Sequence, residues 1–250
     1  MAASSSLLDG AHTVVFDAFG TLITAGSLDL AAALYPVIEG ARINRDEPLE
    51  WEDVYIPLDE CRKTVFCGPE STRVFWESYI KLFLGRLKLT HDDFFEDTLG
   101  VLVTGLALEE YSLYAGAHFL PGAIDAIQEA RRRGYRAVLC SNTNECGLAT
   151  IVRLGLTSMF SYRDMAISSL AGHQKVPTGH VYSLFSWLKH NLRVNAFRAI
   201  VIDDERRYCD FALQVGFRTI RLTSAGNANA PHSESNVLDA VRLLPDLAAI

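Results

Sequence analysis

From Thr13 to Phe16 the chain reads TVVF, an unbroken run of apolar and β-branched residues that turns polar at Asp17. A short run bounded this way reads as a buried strand. Between about Leu28 and Leu113 the spacing changes. Apolar residues recur at helical intervals around charged faces, first over 28–38 and then at Val74, Tyr79, Phe83 and Leu87. Thr90-His91-Asp92-Asp93 ahead of Phe94-Phe95 marks a helix start with acids in its first turn. After Pro121-Gly122 strands and helices alternate. Strands are expected over 136–140, 165–168, 199–202 and 218–222, and helices over 123–133, 146–154, 181–190, 209–215 and 237–244. Such alternation implies a parallel sheet with right-handed crossovers. The expected fold is α/β, a Rossmann-like three-layer α/β/α core over residues 12–25 and 115–250, interrupted by a helical insertion over 26–114. Residues 1–11 read as a leader and 224–235 as a polar loop.

Composition narrows the function classes. The chain has 250 residues, of which 49% are hydrophobic, enough for a sizeable core. A formal net charge of −7 argues against general nucleic-acid binding. The one dense basic run, Arg131-Arg132-Arg133 before Gly134, reads as the cationic end of a helix with a glycine cap. The five cysteines, Cys61, Cys67, Cys140, Cys146 and Cys209, form no CxxC, which fits a reducing compartment rather than a disulfide framework. Cys140 reads as packing. MAASSSLLDG has no basic start and no long apolar stretch, and no run is long enough to span a membrane. The expectation is a cytoplasmic protein, a monomer or homodimer, acting on a small anionic molecule, with neither nucleic acid nor membrane as partner.

In open parallel sheets ligands bind beyond the carboxyl ends of the strands. Asp17 follows the first strand, Ser141-Asn142 the second, Lys175 stands in the loop after the third, and Asp203-Asp204 follow the fourth. Each residue alone has an ordinary reading: a turn, a helix cap or a solvated lysine. Together they form a chemical set. A carboxylate can act as nucleophile. A hydroxyl and an amine can hold an anionic group, and an acid pair can hold Mg²⁺ through hard oxygen ligands.

FDAFGTL, CSNTN, Lys175 in HQKVPTGHVY and VIDDERRYCD resemble, in order, the four motifs of the haloacid dehalogenase superfamily. FLPGAIDAIQEARRRGYRAVLCSN resembles the segment leading into the second motif. The resemblance spans residues 12–24 and 115–222, and the insertion matches the superfamily's α-helical cap domain in position and length. It implies that Asp17 is the nucleophile of a hydrolase working through an aspartyl ester, with Thr21 supporting its loop. Ser141 and Lys175, with Asn142 beside them, would bind the transferred group or neutralise Asp17. A Mg²⁺ would sit between Asp17, the Phe19 backbone carbonyl, Asp203 and Asp204. The KVPT after the lysine departs from the Lys-Pro common among relatives.

Phe19 occupies the position where the superfamily's common phosphatases carry a second aspartate that protonates the leaving oxygen. General acid–base help of that kind is worth on the order of 10²–10⁴ in rate. The favoured reading is a Mg²⁺-dependent phosphatase that tolerates the loss, acting on a small phosphorylated metabolite. The alternative is a metal-independent 2-haloacid dehalogenase, whose halide leaves without a proton. Against it, three carboxylates would then crowd together without a cation. A non-catalytic binding protein is the third reading. In the cap, Arg42, Arg45, Arg62 and Arg73 are candidates to clamp an anionic substrate, and Arg62, followed by Lys63, is the choice among them. Trp51, Trp76 and Tyr79 read as cap core. His118 and His173 have no assigned role.

Overall fold

The computed structural model describes residues 11–26, 30, 34, 50–62, 71–88, 96–176, 182–222, 233–234 and 236–247. Arg42, Arg45, the helix start at 90–93, the leader before residue 11 and most of the 224–235 loop lie outside them. Of the helix expected over 28–38, Leu30 and Leu34 are described, both helical and both buried.

Six parallel strands form the core sheet in the order β5-β4-β1-β6-β7-β8. They are β1 (Thr13–Phe16), β4 (Arg136–Ser141), β5 (Met165–Ile167), β6 (Ala199–Asp203), β7 (Arg218–Leu222) and β8 (Ser233–Glu234). β1 lies between β4 and β6, which is why its TVVF carries no polar face: both sides of a central parallel strand are covered. Val14 and Phe16 pack on one side with Ala126, Ile127, Ile151, Ala240 and Val241. Val15 packs on the other with Leu184, Phe185, Leu188, Ala212 and Phe217. Helices therefore cover both faces, and the α/β/α expectation holds.

Besides the helical Leu30 and Leu34, the described residues of the insertion include α1 (Trp51–Cys61), α2 (Ser71–Arg86) and α3 (Glu96–Ala115). Val54, Leu58, Trp76, Tyr79, Phe83, Val103 and Leu106 give them an apolar cluster of their own. Trp76 and Tyr79 sit in it as expected. Trp51 does not: it is 61% exposed at the first position of α1, stacked on Tyr55 with ring centroids 4.9 Å apart. The insertion leaves and rejoins the core through two short strands, β2 (Ile23–Thr24) and β3 (His118–Phe119), paired antiparallel with Thr24 opposite His118.

The helices that follow are α4 (Ala123–Arg132), α5 (Glu145–Arg153), α6 (Leu184–His190), α7 (Arg206–Gln214) and α8 (Val237–Arg242). At the end of α4 the basic run does what its spacing implies. Arg132 and Arg133 both bond Glu129, at 2.6 Å, and Gly134 takes a left-handed φ of 88°. α6 begins at Leu184 because the Ser183 side chain caps it, accepting from the Ser186 amide at 3.0 Å. Among the described residues no helix is long and apolar enough to cross a membrane.

Candidate active site

The strand ends bring the expected residues together. β1 hands over to Asp17, whose amide donates to the Ile202 carbonyl of β6 at 3.0 Å and so fixes the Asp17 loop to the neighbouring strand. The chain then turns sharply. The Leu22 and Ile23 amides donate to Ala18 O, and the Gly20 amide donates to Ile23 O, all at 2.8 Å. Gly20 has φ of 85°, and a Cβ there would overlap the Asp204 carboxylate. The turn thus needs glycine twice over, for its left-handed backbone and for the close approach of the acid.

Lys175 is the electrostatic centre. It is 1% exposed and donates to Asp17 Oδ1 and, at 2.6 Å, to Asp203 Oδ2. Asp17 and Asp203 are 6% and 0% exposed. Burial alone would favour the neutral amine, but the two carboxylates outweigh it and hold the Lys175 pKa well above its ordinary value. The Asp17 pKa rises as well. Burial pushes its carboxyl up to about 8. Lys175 opposes that shift, while Asp203 and Asp204 add to it. Asp204, half-buried, is pushed up to about 6, by burial first and by Asp203 second.

One carboxylate oxygen from each of Asp17, Asp203 and Asp204 lies within 4.8 Å of the others, a donor set of the kind that holds a divalent cation. The three are not equivalent. Asp203 already accepts from Lys175 through Oδ2 and from the Glu205 amide through Oδ1, at 2.9 Å. Asp204 Oδ1 is buried without a hydrogen-bond partner. Three acids face one ammonium, so the cluster has an excess of negative charge and an unspent oxygen, and both fit a cation of charge two.

Two buried hydroxyls, Thr21 Oγ1 and Ser141 Oγ, also lack hydrogen-bond partners, as does Asn142 Oδ1. Ser141 is the last residue of β4 rather than the first of a loop, and it does not cap the next helix. That cap is Asn144, whose side chain accepts from the Gly147 amide at 3.2 Å. Buried polar groups left unpaired are costly, and the two hydroxyls at the strand ends suit an anionic ligand that supplies acceptors, whereas Asn142 Oδ1 can only accept.

The insertion closes onto this loop. Glu110 of α3, buried, accepts from Trp76 Nε1 at 2.8 Å and from Asn144 Nδ2 at 2.7 Å. The Thr72 amide at the start of α2 donates to Glu145, and the Thr72 hydroxyl lies 2.9 Å from Cys146 Sγ. Phe19 meets Tyr114 of α3 edge-on, ring centroids 5.3 Å apart. Burial raises the Glu110 pKa, opposed by hydrogen bonds from Asn144 and Trp76 and by the charge of Arg62. Arg62 itself is more than half exposed and pairs with Asp59 at 3.7 Å. Arg73 pairs with Glu77 at 2.9 Å on the surface, an ordinary solvated ion pair. His173 stacks edge-on against Tyr182, and Cys140 is packed in the core. Glu110 and Asn144 carry no mark in the sequence that separates them from surface polar residues. Only Tyr208 had a usable signal, four residues or one helical turn after Asp204.

Solved structures resemble the chain throughout its length at low identity. A haloacid dehalogenase-like family hydrolase from Xanthomonas campestris shares 17% identity over 96% of this chain and 94% of the other, with a TM-score of 0.63. A predicted phosphoglycolate phosphatase from Haemophilus somnus shares 13% over 94% and 98%, with a TM-score of 0.58. L-2-haloacid dehalogenase from Xanthobacter autotrophicus, with chloropropionic acid covalently bound, shares 17% over 93% and 98%, with a TM-score of 0.52. No curated protein sequence matches. At such identities the likeness establishes the fold, and neither reaction follows from it. A family model for haloacid dehalogenase-like hydrolases matches residues 11–185, well over half of the chain, and the chain belongs to that family.

Proposed function

We infer that this hydrolase is a Mg²⁺-dependent phosphatase of small phosphorylated metabolites, with Asp17 as nucleophile and the helical insertion as its cap. The observation that carries the reading is the Asp17, Asp203 and Asp204 cluster, one ammonium against three acids with Asp204 Oδ1 unpartnered. Asp17, Asp204, the Phe19 carbonyl and, more weakly, Asp203 would hold the cation. When bound, it neutralises the acids and polarises the phosphoryl group.

The chain's own groups account for the rest. Lys175 keeps Asp17 oriented and helps it ionise against its burial. Asp17 attacks phosphorus and becomes an acyl phosphate, and water then releases phosphate and restores the carboxylate. The Thr21 and Ser141 hydroxyls, buried and unpaired, donate to the phosphoryl oxygens. The cap excludes water from the strand ends while the ester is bound. Arg62 at the cap rim meets whatever anionic group the substrate carries beyond its phosphate.

Phe19 favours a second reading, 2-haloacid dehalogenation, because a halide departs without a proton. The two separate in one paired assay. p-Nitrophenyl phosphate is offered with and without Mg²⁺, and a 2-haloacid is offered with chelator present. Phosphate release that requires the metal is expected. Halide release in chelator, without phosphate release under either condition, overturns the phosphatase reading.

A further inference from the structure

With Phe19 in place of an acid, the proton for the leaving oxygen must come from another group. Two ionisable groups of the cap stand near Phe19 but are committed elsewhere. Both oxygens of Glu110 accept hydrogen bonds, from Trp76 and Asn144, at the seam between α3 and α5. Tyr114 meets the edge of Phe19 with its ring, and its hydroxyl is engaged by the Thr143 side chain. On the core side stands Tyr208, in the first turn of α7.

Three contacts define Tyr208. Its ring lies over the Lys175 ammonium, 4.8 Å from nitrogen to centroid. Its hydroxyl oxygen accepts from Asn142 Nδ2 at 3.2 Å and from the Arg207 guanidinium at 3.0 Å. Lysine has three N–H bonds, and here two go to Asp17 and Asp203 while the π face of Tyr208 lies against the ammonium. Lys175 therefore has little left to give a substrate. The phenol is in the opposite condition. A tyrosine hydroxyl has one proton to donate and two lone pairs, and both lone pairs are taken. Among the described residues nothing accepts its proton. The O–H is left free, on a group tied to Asn142 on one side and to Lys175 on the other, both of which border the nucleophile.

We propose that Tyr208 is a catalytic residue of this enzyme, the proton donor to the leaving oxygen of the phosphate ester. The proposal rests on the phosphatase reading. As Asp17 attacks, the P–O bond to the leaving group breaks, its electron pair stays on the leaving oxygen, and that oxygen takes the Tyr208 proton. The phenolate is held by Arg207 and Asn142, with the Lys175 charge beneath its ring. In the second half the phenolate takes a proton from water. The resulting hydroxide adds to phosphorus, the bond to Asp17 breaks, and the carboxylate and the phenol are both regenerated. Burial raises the Tyr208 pKa, so the phenol is protonated at neutral pH, and the Lys175 and Arg207 charges and the Asn142 hydrogen bond oppose that rise, which eases release of the proton.

The test is a leaving-group series: substituted phenyl phosphates from p-nitrophenyl to unsubstituted phenyl, with Mg²⁺, for wild type, Tyr208→Phe and Tyr114→Phe. Tyr208→Phe keeps the ring over Lys175 and removes only the hydroxyl. Its kcat is expected to fall a few-fold on p-nitrophenyl phosphate and about 10²-fold on phenyl phosphate, so that log kcat depends more steeply on the basicity of the leaving phenol. Tyr114→Phe is expected to keep the wild-type slope. A uniform loss across the series in Tyr208→Phe, or a steeper slope in Tyr114→Phe instead, overturns the proposal while leaving the phosphatase intact. If the wild type turns over none of the esters, the phosphatase reading fails and this proposal with it.

Discussion

Two of the places where the described residues bury carboxylates give them opposite kinds of partner. At the strand ends Asp17 and Asp203 share a fully buried ammonium. At the seam Glu110 is buried against neutral donors, an indole and an amide. The first arrangement sets a buried counter-ion against the acids at the strand ends. The second gives the acid neutral hydrogen-bond donors and acts as a polar tie between insertion and core. Burial raises the pKa of an acid in both places. What differs is the partner, and the partner decides whether the group is a reagent or a fastener.

Substitutions sharpen that contrast, and the largest effect belongs to the reagent. Asp17→Asn is expected to lower phosphate release by about 10⁵-fold or more, as loss of a covalent nucleophile does. It should leave metal-free stability near pH 8 unchanged or higher. Asp17 keeps its proton to a higher pH when folded than when unfolded, so its ionisation draws stability down as pH rises from the ordinary carboxylate range to about 8. Single-turnover assays and thermal melts of the same sample check both parts, and a variant that retained wild-type turnover would remove Asp17 as nucleophile.

Lys175→Met strips the ammonium from two buried acids. A loss of about 3–5 kcal/mol in urea denaturation at neutral pH is expected, shrinking toward acid pH, where the orphaned carboxyls take up protons. If the loss were independent of pH, the lysine would be contributing packing rather than charge.

At the seam the effect is smaller. Glu110→Gln keeps the shape but cannot accept from both Trp76 and Asn144 as a carboxylate does, for a loss of about 1 kcal/mol. The sign of its pH dependence is the sharper test. Because the folded carboxyl holds its proton to a higher pH than the unfolded one, wild type loses stability relative to Glu110→Gln as pH rises through the carboxylate range. Melting curves at a series of pH values would show the gap between the two narrowing upward, and a widening gap would mean that Glu110 is ionised in the fold. Smallest of all is Arg62→Ala. Its exposed pair with Asp59 contributes about 0.5 kcal/mol or less, and substrate KM is expected to rise a few-fold with kcat unchanged.

The same contrast explains what could be read from the chain alone. β1, β4, β6 and β7 lie within a residue of their expected bounds, because a buried parallel strand needs an apolar run and the run is local. The strand-end residues were legible for a related reason: Asp17, Ser141 and Asp203-Asp204 stand at the ends of such runs, and Lys175 in the loop beyond one. α7 starts at Arg206, earlier than periodicity suggested, since its first turn is charged and carries no apolar signal. Glu110 was not legible. Its partners lie 34 residues away on either side, and no local spacing announces a bond across the seam. Trp51 misled, because a large aromatic at a helix start is as easily stacked on its own helix as buried. Tyr208 was in plain view within VIDDERRYCD but had no role until the fold placed its ring over Lys175.

The antiparallel pairing of β2 with β3 has a practical consequence. Thr24 and His118 face each other across a two-stranded ladder, so the insertion is attached as a tip is attached to a hairpin. A two-residue Asn-Gly turn joins strands in that geometry. Residues 25–117 could therefore be replaced by such a turn, giving a minimal protein with the sheet and its four strand-end groups entire. In it Asp17 would stand open to bulk solvent, and on the phosphatase reading bulky or polymeric esters are expected to gain access to it.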